Sequence, residues 1–164
     1  MTDRDSGVAV LSILEEEGRL SRRMLRVARA KREALLATDT ETLAPLVREL
    51  EGISERLGQL EHDREVHAAV AAGAQPGAKV SWADVAGRMS APAAERLQAL
   101  RAELLESLQE LRAVNDGNAR LVQQAIDFNE RYARTLRRAA APTPTYEARG
   151  KLSAAAPRQR AWSA

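Results

Sequence analysis

Cysteine is absent from this chain of 164 residues, which excludes disulfides and thiolate metal sites. Histidine is scarce: only His62 and His67 occur, and on a helix a separation of five residues points them in different directions. We therefore predict no metal site, and we interpret both histidines as surface or rim residues. Aromatic residues make up only 3% of the chain, so the core must be built from Leu, Val, Ile and Ala.

Long apolar runs are also missing, because none approaches the roughly 20 residues that a membrane-spanning helix needs. Residues 1–7 lack a positive region followed by an apolar run, so we expect no secretory signal and a cytoplasmic location. Glycine-rich phosphate loops, nucleophile elbows and His-Glu zinc motifs do not occur. These absences predict a soluble protein that is not an enzyme and binds no cofactor.

The chain also lacks a strong excess of positive or negative charge, since its net charge is only +2. The residues from Ala140 onward hold four basic residues and one acidic residue, and the four basic residues spread over twelve positions. A nucleic-acid-binding domain normally concentrates basic residues on one face, and contact with anionic lipids needs a denser cluster. We therefore expect no nucleic-acid partner and no membrane insertion.

The chain does contain Leu, Ala, Arg and Glu at three- and four-residue spacings, which is typical of long helices. We predict an all-α fold, with an antiparallel helical hairpin in a three-helix, coiled-coil-like bundle, because the first two helices are joined by only a few residues. The predicted single helical domain covers 1–139, with helices at about 6–37, 40–71, 81–89 and 92–139, and 140–164 form a flexible, disordered tail.

Residues 38–41 carry the signals for the start of the second helix. Thr38 and Glu41 match a capping box, with Asp39 or Thr40 as alternative caps. Pro45 still lies in the first turn, where it is tolerated. The second helix is therefore predicted to begin within this short segment.

The third long helix is the longest. At about 1.5 Å per residue it spans roughly 70 Å, and the second helix spans less than two thirds of that length. Its C-terminal part, from about Asn115, is therefore expected to lack full partners in the bundle. Asn115, Asp116 and Gly117 also match a turn signature, so a kink or break is an alternative to a continuous helix.

Asn115 and Asn118 lie on the apolar seam of this helix. One interpretation is that they set register and partner choice, as polar residues on coiled-coil seams do; the other is that they bind an incoming helix. Apolar residues without bundle partners can dock another helix. We predict a substrate-protein surface formed by Leu111, Asn115, Asn118, Leu121, Val122, Ala125, Phe128, Tyr132 and Leu136.

At these residues the chain resembles the FlgN family of flagellar export chaperones. The shared pattern is the Asn115 to Asn118 pair, an aliphatic helix, and then Tyr146 followed by Gly150, although Glu147 stands where the family usually has glycine. The resemblance implies a cytoplasmic helical chaperone that binds the hook–filament junction proteins FlgK and FlgL and delivers them to the type III export gate protein FlhA. By position, it implies Tyr146 and Gly150 as the export-gate contacts.

A second function is compatible with the same residues. A structural coiled-coil protein would form a homodimer through the seam that we assign to the substrate.

Tyr146 lies beyond Pro142 and Pro144, where a helix cannot continue, so it is either an incidental aromatic or the anchor of a short linear contact.

Overall fold

The computed structural model describes residues 3–140, 145–146 and 152–153, and helices account for most of them. These helices are α1 (Asp3–Ala37), α2 (Thr40–Ala71), α3 (Trp82–Gly87) and α4 (Ala91–Ala140). The predicted all-α fold class is confirmed, and the predicted helix bounds differ from the observed ones by a few residues at most.

A pair of two-residue strands, β1 (Thr145–Tyr146) and β2 (Leu152–Ser153), follows the helices. The strands are antiparallel, with Tyr146 opposite Leu152. The sequence did not predict this pair. The rest of the predicted flexible tail lies outside the described residues.

The chain divides into two compact units, residues 1–122 and 123–164. The first unit contains α1, α2, α3 and the first part of α4. The division falls inside α4, whereas the sequence predicted a boundary after residue 139.

Within the first unit, α1 and α2 form the predicted antiparallel hairpin. Arg23 contacts Glu49 at 2.7 Å, and Arg56, further along α2, contacts Glu16, which comes earlier in α1. The order of the contacts is therefore reversed between the two helices, because only Thr38 and Asp39 connect them.

This short connection is closed by two caps. Thr38 has a positive φ of 58°, and the Asp39 N–H donates to the Ala34 carbonyl at 2.9 Å, as in the Schellman ending of a helix. Asp39 then caps α2, because its carboxylate accepts the Thr42 N–H at 3.1 Å. The predicted capping box of Thr38 with Glu41 is therefore wrong, and the alternative cap, Asp39, is correct.

Helices α1 and α4 run parallel in the first unit. Three ion pairs join them, and in each pair the α4 residue lies 81 positions after its α1 partner. The pairs repeat every seven residues, which is the spacing of a coiled-coil flank. They are Glu15 with Arg96, Arg22 with Glu103, and Arg29 with Glu110.

The main core of this unit lies where the start of α1, the end of α2, α3 and the start of α4 meet. Its most deeply buried members include Val10, Leu14, Val85 and Leu97. Short helix α3 reaches this core because Ser81 and Asp84 form a capping box that holds its first turn, so that Val85 packs inward. A second buried cluster, Leu25, Ala28 and Leu111, lies further along α1 and α4.

Candidate functional site

Helix α4 is continuous through residues 115–117, so the turn signature does not break it. Its core positions follow one unbroken heptad pattern. The a positions are Leu97, Leu104, Leu111, Asn118, Ala125 and Tyr132, and the d positions are Leu100, Ser107, Val114, Leu121, Phe128 and Thr135. The spacing alone thus describes a single seam along the whole helix.

The first part of this seam is covered by α1. Leu111 is buried against Leu25 and Ala28. Asn118 is only 3% exposed, and its side-chain amide donates to the Ala28 carbonyl oxygen at 2.9 Å. The seam was expected to lose its partners from about Asn115, but it is covered three residues further. Leu111 and Asn118 both contact α1, so they are not available to a partner protein.

Asn115 lies at the edge of the seam and is exposed. It borders a shallow depression of about 340 Å³ on α4, whose apolar lining includes Leu105 and Leu108. Asn115 and Asn118, which the sequence treats as a pair, therefore have different surroundings. Of the remaining predicted surface residues in the first unit, Leu121 is half-buried and Val122 is exposed.

In the second unit, none of the described residues covers the apolar side of α4. We call five exposed residues the distal stripe: Ala125, Ile126, Phe128, Tyr132 and Leu136. Phe128 is 64% exposed, and its ring lies parallel to that of Tyr132, with 6.3 Å between the centroids. Single exposed apolar residues are common on protein surfaces, but a contiguous set that includes two aromatic rings is typical of a binding site.

The predicted export-gate contacts, Tyr146 and Gly150, follow α4 in the sequence. Tyr146 is described only through its backbone pairing with Leu152. Gly150 lies outside the described residues. Their role therefore stays a prediction.

Among the described residues, no group of His, Asp and Glu side chains has the arrangement of a metal site. His62 is exposed and His67 is half-buried. Nor does any helix within the described ranges have the length and hydropathy needed to cross a membrane.

One polar cluster was not singled out by sequence reasoning. Glu17 of α1 has a side chain that is only 5% exposed, and Arg64 of α2 binds it through Nε at 2.9 Å. Burial raises the pKa of the Glu17 carboxyl, although the hydrogen bond and positive charge of Arg64 oppose this. The Arg64 guanidinium also lies 5.4 Å from the centre of the Trp82 ring, whose other close cation is Arg101.

This cluster joins α1, α2 and α3, and Arg101 adds a contact from α4. A signal existed in the sequence, since Glu17 falls three residues after the core position Leu14. Glu17 belongs to a run of three glutamates at 15–17, and a run of charged residues on an amphipathic helix usually lies on the solvent-exposed face. The run therefore gave no reason to expect that Glu17 is buried.

Comparison with known proteins gave one finding. A family model described as FlgN protein matches residues 7–154, which is nearly the whole chain. Neither the curated proteins nor the solved structures that were searched gave a match.

Proposed function

Because the chain belongs to the FlgN family of flagellar export chaperones, we propose that it binds the hook–filament junction proteins FlgK and FlgL in the cytoplasm and delivers them to the export gate protein FlhA. The family gives the general role of a chaperone in flagellar assembly. The identity of the substrates, the gate contact and the type III export step are our proposal for this chain.

The observation that carries the proposal is the distal stripe. Its five residues occupy one side of a regular helix and have no cover among the described residues. An apolar helix face of this kind binds a second amphipathic helix through anchors spaced three and four residues apart. Burying apolar surface contributes about 25 cal/mol per Å², so covering these side chains strongly favours association.

The same chemistry explains why a junction protein needs such a partner. A segment that forms coiled coils after assembly would expose its own apolar seam beforehand and would aggregate. The distal stripe covers that seam while the substrate waits for export. Ordering a flexible substrate segment costs free energy, which keeps the affinity moderate and permits release at the gate. Neither a nucleotide nor a cofactor is required.

A binding experiment tests this assignment. We expect Phe128→Ala combined with Leu136→Ala to weaken binding of the C-terminal segment of FlgK at least about tenfold in calorimetry, since large anchors dominate such interfaces. The matched control is Val8→Ala combined with Leu36→Ala, which removes two equally exposed apolar side chains from α1. Both variants should keep the wild-type unfolding midpoint. Equal affinity of the two variants for the segment would overturn the assigned surface.

The alternative function, a structural homodimer, uses the same stripe. It predicts a stable dimer in sedimentation experiments at micromolar concentration, and dissociation of that dimer by the Phe128→Ala and Leu136→Ala substitutions. The chaperone proposal predicts that the chain gains a stoichiometric partner only when the junction-protein segment is added.

A further inference from the structure

The charged residues beside the distal stripe follow from its heptad pattern. With Ala125 and Tyr132 at a positions, Arg131 and Arg138 occupy g positions, directly beside the seam. In coiled coils the side chains at e and g meet the flanking residues of the partner helix and set partner choice and orientation. The chemistry of these two positions therefore describes the partner.

Helix α4 shows in its own first part how this row of g positions is used. Arg96, Glu103 and Glu110 are earlier members of the row, and each is paired with an opposite charge on α1. By contrast, no carboxylate of the described chain lies within ion-pair distance of Arg131 or Arg138. Within the described ranges, the Arg131 side chain donates only to the backbone carbonyl of Asp127, at 3.2 Å.

We infer that the occupant of the distal stripe is an amphipathic helix with Asp or Glu along the edge of its apolar seam that meets Arg131 and Arg138. This inference rests on the proposed function, because it specifies the partner that the stripe receives. The two arginines discriminate between partner helices by the charge of their flanking residues. They favour a seam with an acidic edge and disfavour an equally apolar seam with a basic edge.

The chain itself supplies no such acidic edge at this part of α4. The acidic residues there, Asp127 and Glu130, fall at c and f positions on the opposite side of the helix, and Asp127 accepts a hydrogen bond from Gln123 at 2.9 Å. Further along, residues 131–164 hold eight basic residues and one acidic residue, although the whole chain has a net charge of only +2. Because none of the described carboxylates pairs with Arg131 or Arg138, we assign the complementary charge to another molecule.

A second copy of the chain does not supply it either. In a parallel dimer, each g position faces the e position five residues further along the partner, so Arg131 faces Leu136 and the position that faces Arg138 lies beyond the end of α4. In an antiparallel dimer, g positions face g positions, so that arginines face arginines or Gln124. Neither arrangement pairs Arg131 or Arg138 with a carboxylate, and the second brings like charges together.

An anionic membrane surface is a different class of partner for a basic amphipathic helix. Two observations favour a protein helix instead. The seam keeps a strict heptad spacing over the full length of α4, which a lipid surface does not require. In addition, the side of α4 opposite the stripe mixes acidic residues with arginines, whereas the polar face of a lipid-binding helix is rich in Lys and Arg.

The test compares two double charge reversals in the full chain. Arg131→Glu with Arg138→Glu changes the row beside the stripe, and the matched control, Arg134→Glu with Arg137→Glu, makes the same change of charge at c and f positions. The probes are two helical peptides with the same apolar seam, one with Glu and one with Lys at its flanking positions. We expect the wild-type chain to bind the Glu peptide about five- to tenfold more tightly than the Lys peptide, and added salt to reduce the difference.

The g-position variant should reverse this preference, and the control variant should keep it. Equal responses of the two variants would overturn the inference, as would equal binding of the two peptides to the wild-type chain. Vesicles with anionic lipids provide the remaining outcome: if both variants lose vesicle binding alike and neither peptide binds, the stripe is a membrane contact. If Phe128→Ala with Leu136→Ala abolishes peptide binding while the charge reversals have no effect, the proposed function stands and the charge selectivity fails.

Discussion

The Asn118 side-chain amide donates to the Ala28 carbonyl oxygen at 2.9 Å and so joins α4 to α1 at a buried position of the seam. Asn118 occupies an a position, where the other residues of this part of the helix are leucines. Its Oδ1 atom is buried and has no hydrogen-bond partner among the described residues, so we expect the residue to lower stability in comparison with an apolar side chain. A buried asparagine at such a position specifies one alignment of two helices. This is the first of the two interpretations that the sequence left open.

Replacement of this asparagine should separate stability from register. We expect Asn118→Leu to raise the unfolding midpoint, because it removes an unpaired buried oxygen, but to allow α4 to slip along α1. Since the chain has no cysteine, a single engineered cysteine pair reports the alignment through a short thiol crosslinker. Cysteines at Glu15 and Arg96 report the native register, and cysteines at Glu15 and Glu103 report a slip of one heptad. If the leucine variant crosslinks only in the native register, the ion pairs at the flanks set the alignment instead.

Removing one partner of the buried pair of Glu17 and Arg64 should destabilise the fold more than replacing both partners. Arg64→Met leaves a buried carboxylate without its cation and should lower the free energy of unfolding by about 3 kcal/mol. Combining it with Glu17→Leu should recover most of this loss, because two apolar side chains replace the pair. Urea unfolding of the two single variants and the double variant gives the coupling free energy. A double variant as unstable as Arg64→Met would show that the contact of Arg64 with Trp82, not the ion pair, is what matters.

The free energy of unfolding at acidic pH should contain contributions of opposite sign from different carboxylates. Hydrogen bonds from the Thr42 hydroxyl and N–H lower the pKa of Asp39, and those from Ser81 lower the pKa of Asp84. Each capping carboxylate therefore stabilises the fold above the ordinary aspartate pKa, and this contribution is lost as the pH falls through the lowered value. The raised pKa of Glu17 acts in the opposite direction, since its contribution is present at low pH and is lost as the pH rises through the raised value.

Unfolding midpoints between about pH 2 and pH 6 can separate these groups. Asp39→Asn with Asp84→Asn keeps an oxygen acceptor at each cap, so the variant should lose less stability than the wild type at the acidic end. Glu17→Gln should reduce the loss of stability that accompanies a rise in pH at the upper end of this range. An unchanged profile in both variants would assign the acid response to other carboxylates.

Thr38 is a β-branched residue with a φ of 58°, a conformation that glycine adopts without strain. We expect Thr38→Gly to stabilise the hairpin of α1 and α2 by about 0.5–1 kcal/mol. The matched control is Thr40→Gly, which places glycine in the first turn of α2 and should be destabilising. Thermal unfolding compares the two. Destabilisation by both substitutions would mean that the contacts of the Thr38 side chain outweigh its backbone strain.

The proposed gate contact is separable from substrate binding. We expect Tyr146→Ala to leave the affinity for the FlgK segment unchanged and to reduce export of FlgK, because Tyr146 lies outside the distal stripe. Trp162→Ala is the control, since it removes the other aromatic side chain that follows α4 in the sequence. Wild-type secretion by the Tyr146 variant would exclude the gate role.

Sequence periodicity was sufficient to predict the helices and the hairpin. Leucines three and four residues apart leave few alternatives to a helix, and a connection of two residues leaves no alternative to an antiparallel return. The choice of cap was not determined in the same way, because Thr38, Asp39 and Thr40 are all capable of accepting the first free N–H groups of α2. The backbone path decided between them, since Thr38 takes the positive φ and brings Asp39 into position.

The exposure of the residues proposed for the candidate site was predicted in part. Phe128, Tyr132 and Leu136 are exposed as expected, but Leu111 and Asn118 are buried. The reason is that a heptad pattern is the same for a seam covered by the chain's own helix and for one that awaits a partner. The sequence by itself determined the spacing of the seam on α4, because this spacing follows from local periodicity, but it left the continuity of the helix through residues 115–117 open. Only the tertiary structure decided that α1 covers the seam as far as Asn118, because cover depends on which helix packs alongside and in which register.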